Sequence, residues 1–574
     1  MGGAAATGPW PHPRFLQRVF TKTDRMNYAL LGRLLGIVCL LIGGSMAFCL
    51  PWASPALTVR THLPPAAQFE WAAARGVSIS MMVCAGVGGM LIFCGRNAQS
   101  AQLYRKEAMA VVGLSWVMAT LLGALPFYLS ETQTAPDQPI TFIESMFEAQ
   151  SGFSTSGATV LTELEDPAVV SHCILFWRSL THFLGGLGIV VLFVAILGQG
   201  SAGKAMMRAE MPGPTKEGSM PRMQHTALVF AAIYISLNCL LTVVYVVEGM
   251  SIFDALCHAF ATMATGGFST YNASLGHFDK PLIEYTTIFF MILAGTNFTL
   301  LYFSLSGSPR RLIRDVEFQT FLGFIGVATL GVVFFGMQHG DEKFETLSSA
   351  IRFGMFQVVS VITTTGYGTA DFDGWNNFGR GALLLLMFVG GCAGSTGGGL
   401  KVIRHVLFYK VLRREIERAH HPRVVRPLRV GGAPIDDPDL SRNIMVYFSL
   451  ILAIFVVSWM LLVTFEPDST WGVVRTPLGA TSLEPSEAAV EVFDGERQRK
   501  KLKGTLDEKL LDSAAAVAAT LNNIGPGLGV VGPTKNYAGF SQGAKLLFVW
   551  LMMLGRVEVF SVLVLFFPRF WRRF

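Results

Sequence analysis

The sequence has 574 residues, 51% of them hydrophobic and only 15% charged, with a formal charge of +6. Ordinary soluble domains carry about 25% charged residues, so this composition excludes one and describes a polytopic membrane protein. The basic residues stand between apolar stretches, where they set orientation rather than form a nucleic-acid face. The eight cysteines (39, 49, 84, 94, 173, 239, 257 and 392) lie in or beside apolar runs, without metal or redox spacing, and read as packing residues.

Residues 1–27 are rich in Gly, Ala and Pro, then basic at Arg14, Arg18, Lys22 and Arg25. They lack the apolar core of a cleavable signal and read as a cytoplasmic leader. Segment 28–98 holds two spans, at 30–50 and 77–95, and the chain turns back at Arg96, Arg105 and Lys106. Segment 99–200 places a span at 107–130, a short amphipathic run at 140–153, a loop Phe153–Thr159 and a span at 171–198, before Lys204, Arg208, Lys216 and Arg222.

Segment 223–307 repeats the order, with spans at 225–248 and 282–306 around SIFDALCHAFAT and the loop Met263–Ser269. It ends on Arg310, Arg311 and Arg314. Segment 315–412 has spans at 317–338 and 379–412 around FQVVSVITTTGYGTADFD (Phe356–Asp373). A basic linker, 413–441, follows. Segment 442–574 has spans at 442–466 and 543–567, an extracytoplasmic insertion 467–505 and the loop Asn522–Gly527 after LLDSAAAVAATL, and closes on Arg569, Arg572 and Arg573. Every even-numbered crossing ends on basic residues. The positive-inside rule therefore predicts ten spans, both termini in the cytoplasm and all four loops outside.

The short runs before the loops are roughly 10–15 residues long, too short to span a bilayer and suited to re-entrant half-helices. Their carboxyl ends would aim partial negative charge at a common centre, favourable for a cation. Thr364-Thr365-Gly366-Tyr367-Gly368 is close to the Thr-Val-Gly-Tyr-Gly loop whose carbonyls replace the hydration shell of potassium. Weaker versions stand at Thr155-Ser156-Gly157-Ala158, Ala264-Thr265-Gly266-Gly267 and Asn523-Ile524-Gly525-Pro526. Aligned on Gly157, Gly266, Gly366 and Gly525, they make a degenerate repeat of roughly one hundred residues. Only the third keeps Tyr-Gly. Glu163, Glu165, Asp371 and Asp373 stand near the loops, where they either concentrate cations or form an ordinary polar surface.

The span at 379–412 is predicted to break. Gly381 to Gly391 makes roughly 16 Å of helix, half a bilayer. Six glycines follow within ten residues, in Gly390-Gly391-Cys392-Ala393-Gly394-Ser395-Thr396-Gly397-Gly398-Gly399. Non-helical backbone at that depth must be buried in protein or line a wet cavity; a close-packed helix contact of small residues is the competing reading. Arg556 is placed at the middle of the last span, where a cation faces an interior partner; the loop carbonyls are natural acceptors for it. Arg178, Arg352, Asp254 and His258 are expected to form structural pairs at the membrane edge. No metal-ligand cluster or nucleophile–base arrangement suggests an enzyme.

RSLTHFLGGLGIVVL (178–192), the four loops, GGCAGSTGGGLKVIR (390–404) and LGRVEVFSVLVLF (554–566) resemble the Trk/Ktr/HKT superfamily of potassium transporters, closest to its bacterial TrkH branch, from about Asn27 to the C-terminus. The resemblance implies an all-α membrane protein of four concatenated helix–pore loop–helix repeats around a central pore, plus two N-terminal transmembrane helices. It implies potassium uptake with no covalently bound cofactor, and a bacterial inner-membrane location. Its partners would be a second copy in a homodimer, nucleotide-binding RCK (TrkA-like) cytoplasmic subunits and membrane lipid. It makes the filter of the loop residues named above, and the pore obstruction of Gly394, Ser395, Thr396, Gly397, Gly398 and Gly399 with Arg556. In that family a Ser at the first-loop glycine goes with sodium transport, so Gly157 favours potassium over a sodium-permeable relative.

Overall fold

The structure, a computed structural model, describes residues 26–58, 68–98, 105–188, 223–341, 343–421, 428–430, 433–435, 438–471, 509–557 and 559–571. The leader up to residue 25, residues 189–222 with their basic return, most of the insertion 467–505, Glu558, Arg572 and Arg573 lie outside the described residues. So do linker residues 422–427, with Arg423 and Arg426.

Apart from two short antiparallel pairings, Gln133–Ala135 with Gln138–Pro139 and Leu428–Val430 with Ala433–Ile435, the described elements are helical. One succession recurs four times: a long outer helix, a half-helix, a loop and an inner helix. The outer helices are Arg105–Leu129, Met223–Val247, Val316–His339 and Pro438–Phe465. The half-helices are Phe142–Phe153, Ile252–Met263, Leu347–Ile362 and 509–521. Thr141, Ser251 and Thr346 start the first three by accepting a hydrogen bond from an amide of the first turn, which satisfies donors a helix start leaves open. Each half-helix then runs inward and ends in its glycine loop.

The outer helices present Leu240, Val247, Val327, Leu330, Phe334, Leu452 and Phe465 as exposed apolar side chains, as a lipid-facing surface requires. The first is the exception: 67% of its apolar window is buried, against 28%, 28% and 17% in the other three. The reason is the N-terminal pair, Tyr28–Met46 and Trp71–Cys94, which packs on it and covers what would otherwise face lipid. Within that pair the backbones cross closely at Gly36 and Gly88, where either glycine would press an added Cβ onto the other's carbonyl oxygen, at 2.6 and 2.8 Å. Small residues at such crossings are how apolar helices associate in lipid.

Six described helices are long and apolar enough to cross a bilayer, or seven with one bent pair counted as a span. The sequence expectation of continuous inner spans, broken only in the third, is corrected: among the described residues the second and fourth break as well. The first ends at Gly188, with φ +77°. The second, Pro281–Ala294, turns by 103° into Phe298–Leu305. The third stops at Leu386 and resumes as Val402–His420. The fourth ends at Arg556, where Val557 is extended.

The physical cause is close approach. An added Cβ at Gly185 would collide with the carbonyl of Phe153, and one at Gly555 with that of Leu521. Phe153 and Leu521 are the last residues of two half-helices, so only glycine lets the inner helix pass beneath them. Helix interiors pay for each glycine with roughly 1 kcal/mol of propensity, and the carbonyls freed at these breaks find new donors. Cys392 N donates to Gly295 O at 2.8 Å and Gly399 N to Gly555 O at 3.2 Å.

Candidate functional site

The four loops share one backbone conformation. Two residues past each half-helix the chain enters the left-handed region, at Thr155 (φ 54°), Thr265 (55°), Thr364 (58°) and Asn523 (55°). Two residues later a glycine does the same, at Gly157 (79°), Gly267 (75°), Gly366 (78°) and Gly525 (92°). Between them the amides of Ser156, Gly266, Thr365 and Ile524 reach back to Ser151, Ala261, Ser360 and Ala519, all at 2.8–2.9 Å. A left-handed threonine is a steric outlier. Three at equivalent places, each strained by about 1–3 kcal/mol, persist only because the surroundings impose them.

This geometry corrects the second loop by one residue. Gly267, not Gly266, matches Gly157, Gly366 and Gly525, and Ala264 is the cap of its half-helix rather than a loop position. Two adjacent glycines are interchangeable by composition; the point where the helix ends decides between them. The shared glycine is present in all four loops in either register.

The loops close on one another. A Cβ at Gly157 would collide with the Gly266 carbonyl oxygen, at Gly267 with that of Thr365, and at Gly366 with that of Ile524. At Gly525 it would meet the Ser156 oxygen at 2.6 Å. First touches second, second third, third fourth and fourth first. The equivalent carbonyls of Ser156, Gly266, Thr365 and Ile524 thus form a ring, and all four glycines line one small cavity with Arg178 and Lys535 at its side.

Buried polar groups brace the ring from behind. Glu148 accepts from Val160 N and Thr159 Oγ1, both at 2.6 Å. His258, one loop on at the same half-helix position, meets Ser269 Oγ at 2.9 Å. Gln357 occupies that position in the third, and its side-chain oxygen takes the amide of Thr369 at 2.9 Å. The fourth has Ala516 there, and its loop is held instead by Tyr537, whose hydroxyl donates to Gly525 O at 2.7 Å while its amide donates to Thr159 O. Tyr367 donates its hydroxyl to His258 O at 3.1 Å. His182 stacks on Phe268 with centroids 4.0 Å apart.

Arg178, Asp254 and His258 have structural partners, as expected, and all three are buried within the protein. Arg178 donates through Nε to Glu148 at 3.0 Å and through Nη1 to Ser269 O at 3.0 Å, tying the first loop to the second. Asp254 accepts from Thr270 and Tyr271 hydroxyls. Arg352 does pair with Glu284 and Asp279. Breaking a buried pair strands a charge, at about 3–5 kcal/mol. Arg178→Met is expected to lower the thermal unfolding midpoint of the detergent-purified protein more than Arg352→Met; equal midpoints would show that Arg178 braces nothing.

The acidic residues near the loops are engaged. Glu163 accepts from Asn272 Nδ2 at 2.9 Å, Asp371 from Thr534 at 3.2 Å and Asp373 from Gly529 N at 3.0 Å. Glu165 accepts from Asn272 N at 3.1 Å. None of the four lines the cavity above the ring; they join loop to loop.

Beneath the ring lies the glycine-rich segment. Gly398 N donates to Thr364 Oγ1 at 2.9 Å, and an added Cβ at Gly398 would meet that of Asn523 at 2.7 Å. The segment is thus seated on the innermost residues of the third and fourth loops. Thr396 N donates to Ala294 O at 3.3 Å and Phe298 N to Gly394 O at 3.0 Å; Ser395 donates to Cys392 O at 2.6 Å. Arg556, at the break of the fourth inner helix rather than inside a continuous one, donates to Thr396 O, and through Nη2 to Gly185 O at 2.5 Å. Lys401, fully buried, donates to Gly397 O. Two cations thus hold two successive carbonyls of this loop.

Lys401, Glu148 and Glu317 are the site residues that sequence reasoning missed. Lys401 stands just after the glycines and just before a basic stretch, and nothing in the sequence separates it from the residues of that stretch. Glu148 and Glu317 are acids in otherwise apolar segments, a signal that was legible.

The family described as TrkH, cation transport protein, matches residues 76–470 and 499–573. The Trk system potassium uptake protein TrkH of Salmonella typhimurium is 34% identical over 554 residues, covering 95% of this chain and all of that one. The Trk system potassium uptake protein TrkG of Escherichia coli is 31% identical over 474 residues, covering 82% of this chain and 86% of that one. The crystal structure of the potassium transporter TrkH from Vibrio parahaemolyticus superposes with a TM-score of 0.74 at 30% identity, covering 95% of this chain and 100% of that one.

Proposed function

The chain belongs to the TrkH family of cation transport proteins, a family of transporters and not of enzymes, and from that premise we propose that it takes up potassium across the bacterial cytoplasmic membrane. Four helix–pore loop–helix repeats surround a central pore. The filter is the ring of main-chain carbonyls at Ser156, Gly266, Thr365 and Ile524 with the flanking loop residues. Potassium is the transported ion, and no cofactor is called for.

The observation that supports this best is the cyclic contact of the four loops. Carbonyl dipoles around one axis can replace the hydration shell of a large alkali ion. Both termini are placed in the cytoplasm and the ring near the outer face. The segment 394–399, held by Arg556, is the gate. A homodimer and RCK-type nucleotide-binding subunits are the expected partners, with the exposed basic residues from Arg413 onward as a docking surface. Growth rescue of a potassium-uptake-deficient bacterium at low potassium tests the function: the chain is expected to restore growth. Failure with inserted protein present would refute it.

The four loops differ beyond the shared glycine, where Ala158, Phe268, Tyr367 and Pro526 follow. Outer carbonyl rings should accordingly be irregular, and discrimination among potassium, rubidium and caesium weaker than in a symmetric tetrameric channel. Permeability ratios measured in liposomes check this; ratios equal to those of such a channel would count against it.

A further inference from the structure

We propose that Glu317 positions the gate loop by binding both of its flanks, so that residues 394–399 move as a flap on a fixed neck. The proposal rests on the reading of this loop as a gate.

Glu317 stands in the first turn of the third outer helix, whose start Asp315 caps by accepting from Phe318 N at 2.9 Å. It is only 5% exposed. One oxygen, Oε1, accepts from two amides: Ala393 N at 2.7 Å and Ile403 N at 3.1 Å. Ala393 directly precedes the loop, and Ile403 lies in the first turn of the helix Val402–His420 that follows it. First-turn amides have no partner inside their own helix and favour a negative charge. The same flanks are joined by Gly390 N to Leu400 O at 2.7 Å and Val402 N to Gly391 O at 3.2 Å.

The loop is thus held at two levels of unequal cost. At its tip, Thr396 and Gly397 offer neutral carbonyls to Arg556 and Lys401, and a wetted pore can supply water to carbonyls that are let go. At its neck, departure of the two amides would leave a buried carboxylate short of donors, which is strongly unfavourable. Motion therefore releases the tip and keeps the neck. Without the neck, the tip is no longer delivered beneath the ring.

Passive rubidium and potassium flux from proteoliposomes tests this with wild type, Glu317→Ala, Glu317→Gln, Arg556→Ala and the Glu317→Ala/Arg556→Ala double variant. Loss of two charge-assisted hydrogen bonds predicts a rise of about fivefold or more in Glu317→Ala. Glu317→Gln, which keeps an acceptor, should rise less. The rubidium-to-potassium ratio should not change, and the double variant should not exceed Arg556→Ala alone, because both act through one loop. If Arg556→Ala raises flux while Glu317→Ala does not, or the two effects multiply, Glu317 has no part in the gate. A changed ion ratio would assign the carboxylate to the filter instead and overturn the proposal. No effect of Arg556→Ala would overturn the gate itself, and this proposal with it. If Glu317→Ala does not insert, Glu317→Asn, too short to reach both amides, carries the same outcomes.

Discussion

Replacing Arg556 by Ala is expected to raise passive potassium flux through the inserted protein about tenfold or more. The guanidinium donates to Thr396 O on the glycine loop and to Gly185 O on the first inner helix. Those residues are 160 and 371 positions away in the chain, so one side chain ties three inner segments together below the ring. Hydrogen bonds from a charged donor contribute about 1.5–3 kcal/mol each, and losing two shifts a closed-to-open balance by at least tenfold. The positive charge also goes, which removes a repulsion directly beneath the filter. Arg556→Gln keeps a donor and should fall between wild type and Ala. Flux in proteoliposomes, normalised to inserted protein, measures this. Flux at or below wild type in Arg556→Ala would end the gating role.

Replacing Gly157 by Ser is expected to lower the potassium-to-sodium permeability ratio by about an order of magnitude. Gly157 sits at φ +79°, and its added Cβ would run into the Gly266 carbonyl oxygen. That oxygen belongs to the ring, so under the proposed function the side chain would displace a ligand of the ion rather than fill a space. A ring with one oxygen pushed out holds a large ion less well and tolerates a smaller, more hydrated one. Gly157→Ala brings the same Cβ collision and should lower the ratio in the same direction. Reversal potentials under biionic conditions decide; an unchanged ratio in Gly157→Ser would contradict the assignment of Gly157 to the filter.

Much of the site was legible because its signals are local. Half-helix length, the glycine after each one and the six glycines after Met387 can be read within windows of about twenty residues. The polar groups behind the ring were less so. Arg178 is one basic residue in an apolar run, and nothing near it in the chain tells that Glu148 and Ser269 O will meet it. Glu317 was counted inside a span, where its acid should have prompted a search for donors; they come from residues 393 and 403. For the four acids near the loops the sequence left two readings open, and the structure shows their oxygens accepting from neighbouring amides and hydroxyls.

Apolar run length, charge placement and glycine spacing by themselves determined a polytopic membrane protein with four related loops, since each depends on the chain over a turn or two. Tertiary structure alone decided that Gly267 rather than Gly266 is the glycine equivalent to Gly157, Gly366 and Gly525, that the second and fourth inner helices break as the third does, and that one carboxylate grips both ends of the glycine loop. The reason is the same in each case. A backbone angle or a broken helix is settled by what lies across the contact, and at this centre that neighbour comes from another quarter of the chain.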